Sequence, residues 1–519
     1  MTHAQIPSLE AHNKPKLLVF IVAYHAATTI SSVLTRIPHS LLEKYHIEVL
    51  IIDDASQDKT FEVGSKIASD GNLPFKVHVL FNPINQGYGG NQKLGYHYAI
   101  ENGFDFVALV HGDGQYAPEC LNELLEPLAS GRADAVFGSR MLSRGQALKG
   151  GMPLYKFVGN KILTAFENYM LKSALSEFHS GYRLYSIKAL KQIPFDLNTN
   201  DFHFDTEIII QFIYANLRIV ELPIPTYYGD EICRVNGIKY AWDVVIAVTK
   251  AKAQSMGLFY SPNFDCSSNT NAHYELKLGY KSPHSEILKH ITPGSRVLDL
   301  GCAGGYIGAL LKDKLACTVT GVDFFDLAPG IVLDEFIKYD LNKGVPNIDL
   351  SRFDYIVMLD VIEHLNSPES FMESLHKALD RNPNATLIAS SGNIGFIIPR
   401  LMLLIGQFNY GKRGILDLTH TRLFTFGSFR RLFNQNGYEI KFVDGIPGPF
   451  PLALGDTMLA RVLVFINFIA IKVSKGLFSY QIFMIAKSLP SLAYLLSTAI
   501  EKSKIRSLKA KEDNLLENS

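Results

Sequence analysis

Short apolar runs alternate with amphipathic segments over residues 16–138. The apolar runs have the length of strands and are KLLVFIVAY, IEVLIIDD, FKVHVLF and FVALVHGD. The segments between them have apolar positions at helical spacing. Strands that alternate with helices of this length are typical of a parallel sheet covered on both faces. We therefore expect the first part of the chain to be a doubly wound α/β domain.

The same alternation restarts at GSRVLDLGCAGG (residues 294–305) and continues through TVTGVDF, FDYIVMLD and ATLIASS. Between the two parts, SPNFDCSSNTNAH (residues 261–273) is rich in Ser, Asn and Pro and has no periodicity, as in a linker. The pattern predicts one domain over residues 1–260 and a second doubly wound domain over residues 274–490. Residues 491–519 are expected to form a terminal helix and a basic tail.

The composition narrows the classes of function. The 519 residues include 50 Lys plus Arg and 50 Asp plus Glu, so no net field attracts nucleic acid and we expect no nucleic-acid partner. The five cysteines show no C-x-x-C spacing, which indicates a reducing compartment without a zinc site or a disulfide framework. The polar N-terminus is unlike a signal peptide. These features favour a cytoplasmic protein.

The C-terminal end combines an apolar segment with positive charge. The longest apolar runs, such as SLPSLAYLLSTAI (residues 488–500), fall short of the roughly 20 residues that a membrane-spanning helix needs. Five cations follow, at Lys502, Lys504, Arg506, Lys509 and Lys511. An apolar helix beside a basic stretch suits peripheral attachment to the inner face of an anionic membrane. A packed terminal helix with a solvated tail fits the same pattern.

Three strand ends in the first part carry acidic or glycine-rich turns: IIDDASQDKT, NPINQGYGGNQ and VHGDGQYAPE. Ligands of an open α/β sheet bind beyond the carboxyl ends of its strands. A nucleotide diphosphate needs a divalent metal such as Mg²⁺ or Mn²⁺, and Asp113 is placed to bind one through oxygen. Asp53 or Asp54 can accept hydrogen bonds from a base or ribose, although an acidic pair before a helix is also a common N-cap. The turn of Gly87–Gly90 allows its backbone to approach a ligand closely.

In this order, the motifs of residues 15–250 resemble the family 2 glycosyltransferases, especially the dolichyl-phosphate mannosyltransferase-like branch. The resemblance is carried by IVAYHAATTI, IIDDASQDKT, NQGYGGNQKLGYHYAI, HGDGQYAPE, FGSR, HSGYRLYS and NDFHFDTEIII. It implies a GT-A fold and a nucleotide-sugar donor. It also implies that Asp54 contacts the nucleotide, Asp113 the metal, and Gln115 the phosphate or the metal shell.

His111 departs from the pattern of that family, because it occupies the place of the first acid in the Asp-x-Asp turn. Imidazole is a weaker ligand for Mg²⁺ than for softer ions. A neutral His can still hydrogen-bond a metal-bound water or the ribose. We therefore expect the metal site to persist through Asp113, with His111 beside it and looser binding.

The glycosyl acceptor is either a lipid phosphate or a sugar hydroxyl. A phosphate monoester is mostly dianionic at pH 7 and needs cations rather than a base. Arg140 in FGSR and Arg183 in SGYRLYS are such cations, at positions where the resembling branch has arginines. A hydroxyl acceptor needs a general base, for which Asp201, Asp205 and Glu207 are candidates. Each of these side chains also suits a surface role, and the pattern favours a polyprenyl phosphate.

The second part opens with a strand, a Gly-rich turn and a helix in VLDLGCAGG. Asp299 stands at the strand end, and Gly301, Gly304 and Gly305 permit a tight turn and a ligand carboxylate at the helix N-terminus. Eighteen residues after Gly305, TVTGVD ends in Asp323, which is placed to accept both hydroxyls of a ribose. The C-A-G-G spelling lacks the pyrophosphate pattern of a dinucleotide site.

Residues 270–490 resemble the class I S-adenosylmethionine-dependent methyltransferases, in particular the ubiquinone-biosynthesis-like group. The resemblance is carried by VLDLGCAGG, GVD, KYDLNKG, FDYIVMLDVIEHL and DLTHTRLFT. It implies a Rossmann-like fold with S-adenosylmethionine as the cofactor. The implied contacts are the methionine part for Asp299, Gly301, Gly304 and Gly305, the ribose for Asp323, the adenine for Asp340 and Leu341, and the floor near the sulfonium for Asp360.

Methyl transfer from a sulfonium is an in-line displacement, so positioning supplies most of the catalysis. An oxygen acceptor gains further from a base that removes its proton. His420 in DLTHTR and His364 in VIEHL are the candidates, with His420 favoured. A structural role is the alternative for each.

The favoured interpretation is a bifunctional enzyme that transfers a sugar and a methyl group in the biosynthesis of a surface glycan or glycolipid. The alternative is a methyltransferase whose glycosyltransferase-like domain is an inactive binding or membrane-docking module, with His111 marking the loss. Asp54, Asp113, Gln115 and Arg140 favour the bifunctional enzyme, because an inactive site has no physical need for them.

Overall fold

The computed structural model describes residues 14–143, 145–227, 236–256, 260–266, 276, 278–382, 384–451, 455 and 457–517. The chain divides into two compact units, the first comprising Met1–Ser255 with Ser261–Thr270 and the second Met256–Tyr260 with Asn271–Ser519. Each unit contains one seven-stranded sheet with helices between its strands.

The strands of the first unit are β1 (Lys16–Ala23), β2 (His46–Asp53), β3 (Lys76–Phe81), β4 (Phe106–His111), β5 (Ala135–Ser139), β6 (Arg183–Ser186) and β7 (Ile219–Pro223). Their order in the sheet is β3-β2-β1-β4-β6-β5-β7. β6 is antiparallel to both of its neighbours, and the other neighbours pair in parallel.

The helices of this unit are α1 (Ile30–Thr35), α2 (Leu41–Lys44), α3 (Thr60–Asp70), α4 (Gly87–Glu101), α5 (Leu121–Ala129), α6 (Gln146–Lys149), α7 (Leu154–Leu171), α8 (Ile187–Leu190), α9 (Phe204–Tyr214) and α10 (Gly237–Ser255). Short 3₁₀ helices span Pro118–Cys120, Phe195–Leu197 and Pro262–Phe264.

β1 contributes to two hydrophobic cores, because successive side chains of a strand point to opposite faces of the sheet. Leu18 and Phe20 belong to one buried cluster, and Leu17, Val19 and Ile21 belong to another. A strand that is buried on both faces needs an unbroken apolar run. That requirement explains the continuous apolar sequence of this strand.

The strands of the second unit are β8 (Arg296–Leu300), β9 (Thr318–Asp323), β10 (Glu335–Lys338), β11 (Tyr355–Leu359), β12 (Thr386–Gly392), β13 (Tyr438–Ile446) and β14 (Gln481–Ser488). Their order is β10-β9-β8-β11-β12-β14-β13, with β14 antiparallel to both of its neighbours. The central strands are again buried on both faces: Ile356 and Met358 join one core cluster, and Val357 joins the other.

The helices of the second unit are α11 (Pro283–His290), α12 (Tyr306–Leu315), α13 (Pro368–Ala378), α14 (Ile397–Leu404), α15 (Phe426–Gln435), α16 (Met458–Val473), α17 (Lys475–Phe478) and α18 (Leu492–Glu517). Short 3₁₀ helices span Leu341–Lys343, Leu350–Arg352, Ile362–His364 and Leu379–Arg381.

The prediction of two doubly wound α/β domains is confirmed, with one difference in strand direction. The alternation of strands and helices predicted parallel sheets, whereas β6 and β14 run antiparallel to their neighbours. A strand's direction depends on where its connection crosses the sheet. The pattern of apolar and polar positions does not encode that crossing.

The described part of the predicted linker is packed. Phe264 and Cys266 are buried in a core cluster of the first unit. Residues 267–273 of that segment lie outside the described residues. At the C-terminal end, α18 joins the predicted apolar helix and basic tail in one helix of 26 residues. Among the described helices, none has both the length and the apolar character to cross a membrane.

Candidate functional site

The carboxyl ends of β1, β2 and β4 lie side by side at one edge of the first sheet. Ala23 of β1 is level with Asp53 of β2, and Val22 is level with His111 of β4. The predicted acid-bearing turns after β2 and β4 are thus brought together where ligands of such sheets bind.

Asp54 holds the turn that begins α4. Its carboxylate is buried, with Oδ1 accepting hydrogen bonds from Asn82 Nδ2 and Gln86 N, both at 2.8 Å. Oδ2 accepts from Gly87 N at 3.0 Å. Gly87 has a φ of 78°, which favours glycine. Both oxygens of Asp54 are therefore engaged by the glycine-rich turn, so Asp54 positions this turn.

The carboxylate of the neighbouring residue, Asp53, is hydrogen-bonded through only one of its oxygens in the described structure. It is fully buried, and Oδ1 accepts from Ser56 N at 3.1 Å and from Ser56 Oγ. Oδ2 is buried and has no hydrogen-bond partner within the described part of the chain. Burial raises the pKa of this carboxyl, and the bonds from Ser56 oppose that shift. A buried acceptor without a partner costs free energy that a ligand's N–H or O–H donor would recover.

His111 lies in a network with Tyr88 and Asp205. Tyr88 Oη donates to Asp205 Oδ2 at 3.1 Å and lies 3.2 Å from His111 Nε2. Since the single proton of Tyr88 goes to the carboxylate, His111 Nε2 carries the hydrogen and donates to Tyr88, which leaves a lone pair on Nδ1. Burial lowers the pKa of His111 and favours the neutral ring. The first position of the altered turn thus offers a nitrogen acceptor.

Gly181 makes room for this imidazole. A Cβ added at Gly181 would lie 2.6 Å from Cε1 and Nε2 of His111, which is closer than a real Cβ contact allows. Gly181 N also donates to Tyr116 Oη at 2.7 Å, and the Tyr116 ring packs edge-on against His111 at 4.8 Å between centroids. Sequence reasoning missed Tyr88 and Gly181, although both lie within motifs that carried the resemblance.

Asp113 and Gln115 follow β4 directly. The Asp113 side chain is exposed, and its Oδ1 accepts from Gln115 N at 3.0 Å. The carboxylate of Asp113, the amide oxygen of Gln115 and His111 Nδ1 are oxygen and nitrogen donors within one stretch of five residues. That set suits a divalent metal, and it suits Mn²⁺ better than a set of oxygens alone would.

A second group of possible metal ligands lies elsewhere in the unit. Ligand atoms of Asp201, His203 and Asp243 lie within 4.8 Å of one another. Lys239 Nζ is 2.6 Å from Asp201 Oδ2 and 3.7 Å from Asp243 Oδ2. Its ammonium already balances these carboxylates, so the group gives no evidence of a bound ion.

Arg140 forms a buried ion pair with Glu177. Its backbone N donates to Glu177 Oε2 at 2.7 Å, its Nε to Oε1 at 3.0 Å, and Nη2 also contacts Oε1. Nη2 donates further to His179 O at 3.0 Å. Arg140 lowers the pKa of Glu177 against the effect of burial. The guanidinium is thus committed to holding the segment that precedes β6.

Arg183 is almost fully buried. Its Nε, Nη1 and Nη2 donate to the carbonyls of Ser180, Asp205 and Phe178 at 2.7–2.8 Å. In this geometry Arg183 holds three backbone carbonyls, and its contact with a phosphate stays a prediction. The candidate bases are also engaged: Asp205 accepts from Tyr88 and Gln92, and Glu207 accepts from Thr199 N.

In the second unit, β8 ends in a buried carboxylate. Asp299 is 3% exposed, and its Oδ2 has no partner among the described residues. Burial, reinforced by the nearby Asp323, raises the pKa of Asp299 to about 7. A cationic donor from a ligand would restore the charged form. The ammonium of a methionine group fits this requirement.

The turn after Asp299 requires glycine. Gly301 has a φ of 76°, and a Cβ there would lie 2.5 Å from Val361 Cγ2. Gly305 has a φ of 80° and is crowded by Leu327. A Cβ at Gly304 would lie 2.6 Å from the Tyr306 ring. The turn and the buried Asp299 oxygen form a cradle that fits S-adenosylmethionine.

Asp323, at the end of β9, ties this turn down. Its Oδ2 accepts from Ala303 N at 2.7 Å, and its Oδ1 accepts from Phe325 N at 2.8 Å. The carboxyl end of β10 lies beside it, with Lys338 level with Asp323. Asp340 and Leu341 follow that strand end, where Asp340 Oδ1 accepts from Asn342 N and Leu341 is buried. The predicted ribose and adenine contacts therefore lie together.

Asp360, directly after β11, has a φ of 54°, which is unusual for a residue with a side chain. Its Oδ1 accepts from Ser390 Oγ at 2.7 Å, and its Oδ2 accepts from Gln481 Nε2 at 2.6 Å. A strained residue held by two partners is typical of a functional site. Sequence reasoning missed Ser390 and Gln481, because they lie on strands 30 and 121 residues away.

His420 and His364 lie together, with ring centroids 4.7 Å apart. His420 Nδ1 donates to Ile415 O at 2.9 Å, so its Nε2 keeps the lone pair that a general base needs. Thr421 N donates to Glu363 O at 2.9 Å and ties the His420 loop beside Asp360. Burial and His420 lower the pKa of His364. Glu363 is itself buried, and burial together with Asp360 raises its pKa to about 8.

Comparison with protein families assigns each part of the chain. Residues 18–194 match the model "Glycosyl transferase family 2", and residues 272–441 match the model "Methyltransferase domain". Both recognitions from the sequence are confirmed by these matches.

Individual relatives match about two fifths of the chain. An undecaprenyl-phosphate mannosyltransferase of Micrococcus luteus is 28% identical over 211 residues, 40% of this chain and 82% of its own. A UDP-N-acetylglucosamine--dolichyl-phosphate N-acetylglucosaminyltransferase of Methanococcus voltae is 28% identical over 225 residues, 41% of this chain and 87% of its own.

Among solved structures, a SAM-dependent methyltransferase from Archaeoglobus fulgidus is 18% identical and covers 39% of this chain and 90% of its own, with a TM-score of 0.29. At this TM-score the likeness supports no conclusion about function. The family matches and the two sheet edges agree: the chain carries a family 2 glycosyltransferase domain followed by a methyltransferase domain, and it is a transferase.

Proposed function

We propose that the first unit transfers a sugar from a nucleotide-sugar donor to a lipid phosphate, and that the second transfers a methyl group from S-adenosylmethionine. The observation that carries the proposal occurs in both units. Asp53 and Asp299 each keep, at the ligand-binding edge of a sheet, one buried carboxylate oxygen that has no partner among the residues the structure describes. A nucleoside N–H or O–H donor would satisfy Asp53, and the ammonium of S-adenosylmethionine would satisfy Asp299.

At the donor site, Asp113, Gln115 and His111 Nδ1 would hold a divalent metal. When bound, the metal neutralises the diphosphate that leaves with the nucleotide. Asp54 shapes the glycine turn that approaches the donor, and Tyr88 with Asp205 orients His111. Arg140 and Arg183 act as positioning residues for the segment between α7 and β6.

The lipid character of the acceptor is supported by α7. Its exposed side chains include several large apolar residues, and its one acid, Glu167, is buried; the apolar residues are Leu154, Tyr155, Val158, Ile162 and Tyr169. Asn160 Nδ2 of the same helix donates to Glu177 Oε1 at 2.9 Å, next to Arg140. An apolar surface thus borders the site. A phosphate acceptor also needs no side-chain base, which agrees with the engaged Asp205 and Glu207.

In the second unit, S-adenosylmethionine supplies an electrophilic methyl group on its sulfonium. Asp299 and the glycine turn hold the methionine part, Asp323 holds this turn beside the ribose, Asp340 and Leu341 face the adenine, and Asp360 lines the floor. His420 Nε2 accepts the proton of an oxygen acceptor. The methyl acceptor is a glycan, a lipid or a small molecule, and both reactions serve surface glycan or glycolipid biosynthesis.

We further propose a peripheral position on the inner face of a membrane. The exposed Lys502, Lys504 and Arg506 of α18 support it, because a cation near an anionic surface gains about 1 kcal/mol.

A methyltransferase with an inactive first unit is the second candidate, favoured by the presence of His111 in place of the first acid. The buried lone oxygen of Asp53 speaks for an active unit, since an inactive one has no need to maintain that cost.

The experiment uses the full chain with undecaprenyl phosphate, Mn²⁺ and a panel of radiolabelled UDP- and GDP-hexoses. We expect label in the lipid fraction with one donor, and its loss in Asp113→Asn. In the same preparations, calorimetry should detect S-adenosylmethionine binding that is lost in Asp299→Asn and kept in Asp113→Asn. Lipid labelling that Asp113→Asn leaves unchanged would contradict the proposed donor site.

A further inference from the structure

α16 exposes an apolar stripe to solvent. Seven apolar side chains on this helix are 43–84% exposed: Met458, Leu459, Val462, Phe465, Ile466, Ile469 and Val473. They recur at intervals of three and four residues, so they lie on one face of the helix. We call this set the α16 stripe. A contiguous exposed apolar surface of this kind marks an interaction site.

The opposite face of α16 is anchored, so the stripe has a fixed orientation. Ala460, Asn467 and Ile471 are buried on that face. Asn467 Oδ1 accepts from Gly448 N at 2.8 Å, and its Nδ2 donates to Phe478 O at 2.8 Å. Apolar side chains therefore face outward because a buried polar anchor fixes the helix, and rolling the helix inward would break both bonds.

The charged side chains of α16 itself are all cations. Residues 457–481 contain no Asp or Glu. Arg461 and Lys472 are exposed and stand eleven residues apart, which is about three helical turns and places them on the same flank of α16. A cationic flank beside an apolar face is complementary to the headgroups and acyl chains of an anionic bilayer.

α16 also leaves the sheet at the edge that carries the methyl-donor site. It connects β13 to β14, and Ile446 at the end of β13 pairs with Gln481 at the start of β14. Gln481 is level with Gly392 of β12, and its Nε2 donates to Asp360 Oδ2. The helix with the stripe is therefore linked, through the short helix α17, to the strand whose first residue holds Asp360.

We propose that the α16 stripe lies in the interface of an anionic lipid bilayer and docks the methyltransferase unit there. Its 16 residues span about 24 Å, less than the roughly 30 Å of a hydrocarbon core, so the helix lies along the surface. A second copy of the chain would bring a second cationic flank against the first. Docking places the Asp360 edge at the membrane, so the methyl acceptor is a lipid-linked group.

The inference deepens the peripheral attachment proposed above by assigning it a surface other than α18. The test is co-sedimentation of the full chain with vesicles of equal parts phosphatidylglycerol and phosphatidylcholine. Phe465→Glu/Ile469→Glu should lower the partition coefficient about tenfold or more, because two apolar side chains lose their burial in lipid. Ile238→Glu/Trp242→Glu is the matched control, an exposed apolar pair at the same spacing on α10, and should bind like the native chain.

Two further variants separate the contribution of the cations to vesicle binding from that of the apolar side chains. Arg461→Glu/Lys472→Glu should weaken binding to these vesicles and leave the weaker binding to pure phosphatidylcholine unchanged, whereas Phe465→Leu/Ile469→Leu should retain binding to both. Equal binding by native chain and Phe465→Glu/Ile469→Glu would overturn the proposal, as would a change of oligomeric state in light scattering in place of vesicle binding. S-adenosylmethionine affinity and nucleotide-sugar hydrolysis, measured without vesicles, report on the proposed function separately.

Discussion

Each of the two sheet edges contains a pair of carboxylates, one that holds a glycine-rich turn and one with an oxygen open to a ligand. The two pairs differ in where their members lie along the chain. In the first unit the pair is adjacent in sequence: Asp54 holds the turn before α4, and Asp53 keeps a buried oxygen that has no partner in the described part of the chain. In the second unit the pair comes from neighbouring strands: Asp323 holds the turn before α12, and Asp299 keeps the lone oxygen. In each pair, one carboxylate accepts hydrogen bonds from the glycine-rich turn, and the other accepts a hydrogen bond from the bound ligand.

Nearby hydrogen-bond donors, rather than position within a motif, decide which carboxylate of each pair meets the ligand. The resemblance implied that Asp54 contacts the nucleotide, yet three donors of the following turn already engage it. Asp299 Oδ2 receives no hydrogen bond from the described residues, and burial with the nearby Asp323 raises the pKa of Asp299 to about 7. Asp53 receives two bonds from Ser56, which oppose the rise that burial causes in its pKa.

The largest expected effect concerns the base that only the second unit needs. His420→Asn should lower methyl transfer by about 100-fold or more and leave S-adenosylmethionine affinity unchanged, because it removes the Nε2 acceptor. The measurement is S-adenosylhomocysteine release in the presence of a total lipid extract. His376→Asn is the control, since His376 bonds Ser488 Oγ outside the site. Equal losses in both variants would remove His420 from the chemistry.

The lone oxygen of Asp299 makes the second unit sensitive to pH. Below about 7 a proton must leave Asp299 before a cation can bind, so S-adenosylmethionine affinity should fall about tenfold per pH unit. The folded ligand-free unit holds this proton more tightly than the unfolded chain does. Its free energy of unfolding should therefore fall as pH rises from about 4 to about 7. Calorimetry at several pH values measures the affinity, and thermal melts measure the stability, for the native chain and Asp299→Asn. An affinity of the native chain that does not change with pH would refute the role of Asp299 in binding the ammonium.

Two glycines sharpen the contrast between the units. Gly181→Ala and Gly301→Ala should each lower the free energy of unfolding by about 1–3 kcal/mol, because each Cβ meets a neighbour within 2.6 Å. In a His111→Ala background, Gly181→Ala should cost much less, since only the contact with Tyr88 Oη at 2.9 Å remains. In a Val361→Ala background, Gly301→Ala should still cost about 1 kcal/mol for its positive φ. Urea unfolding of the single and double variants measures these changes in the free energy of unfolding. If Val361→Ala removed the whole cost of Gly301→Ala, the backbone contribution would be contradicted.

The smallest effect concerns metal preference. His111→Asp exchanges a nitrogen ligand for oxygen, so the ratio of activity with Mg²⁺ to activity with Mn²⁺ should rise severalfold. Tyr88→Phe frees the His111 ring to turn and should change this ratio less. A ratio that His111→Asp leaves unchanged would mean that His111 does not contact the metal.

How much of this arrangement is readable from the sequence depends on distance along the chain. The positions of Asp53, Asp113, Asp299 and Asp323 at or beside strand ends follow from apolar runs that acids interrupt. The partners of Asp360 do not, because Ser390 and Gln481 reach it across the sheet. The antiparallel course of β6 and β14 was missed for the same reason. The surroundings of Arg183 are equally hidden, because a sequence does not show that three backbone carbonyls accept hydrogen bonds from its guanidinium.

The most direct test of the central claim compares four variants of the two carboxylate pairs: Asp53→Asn, Asp54→Asn, Asp299→Asn and Asp323→Asn. Calorimetry with UDP, GDP and S-adenosylmethionine is paired with a thermal melt of each ligand-free protein. We predict that Asp53→Asn and Asp299→Asn lose affinity, about 30-fold or more for Asp299, and keep or gain thermal stability. Asp54→Asn and Asp323→Asn should lose stability first, by about 1–3 kcal/mol, through their turns. The reverse pattern, with affinity lost at Asp54 and stability lost at Asp53 or Asp299, would contradict the division of work between the two carboxylates.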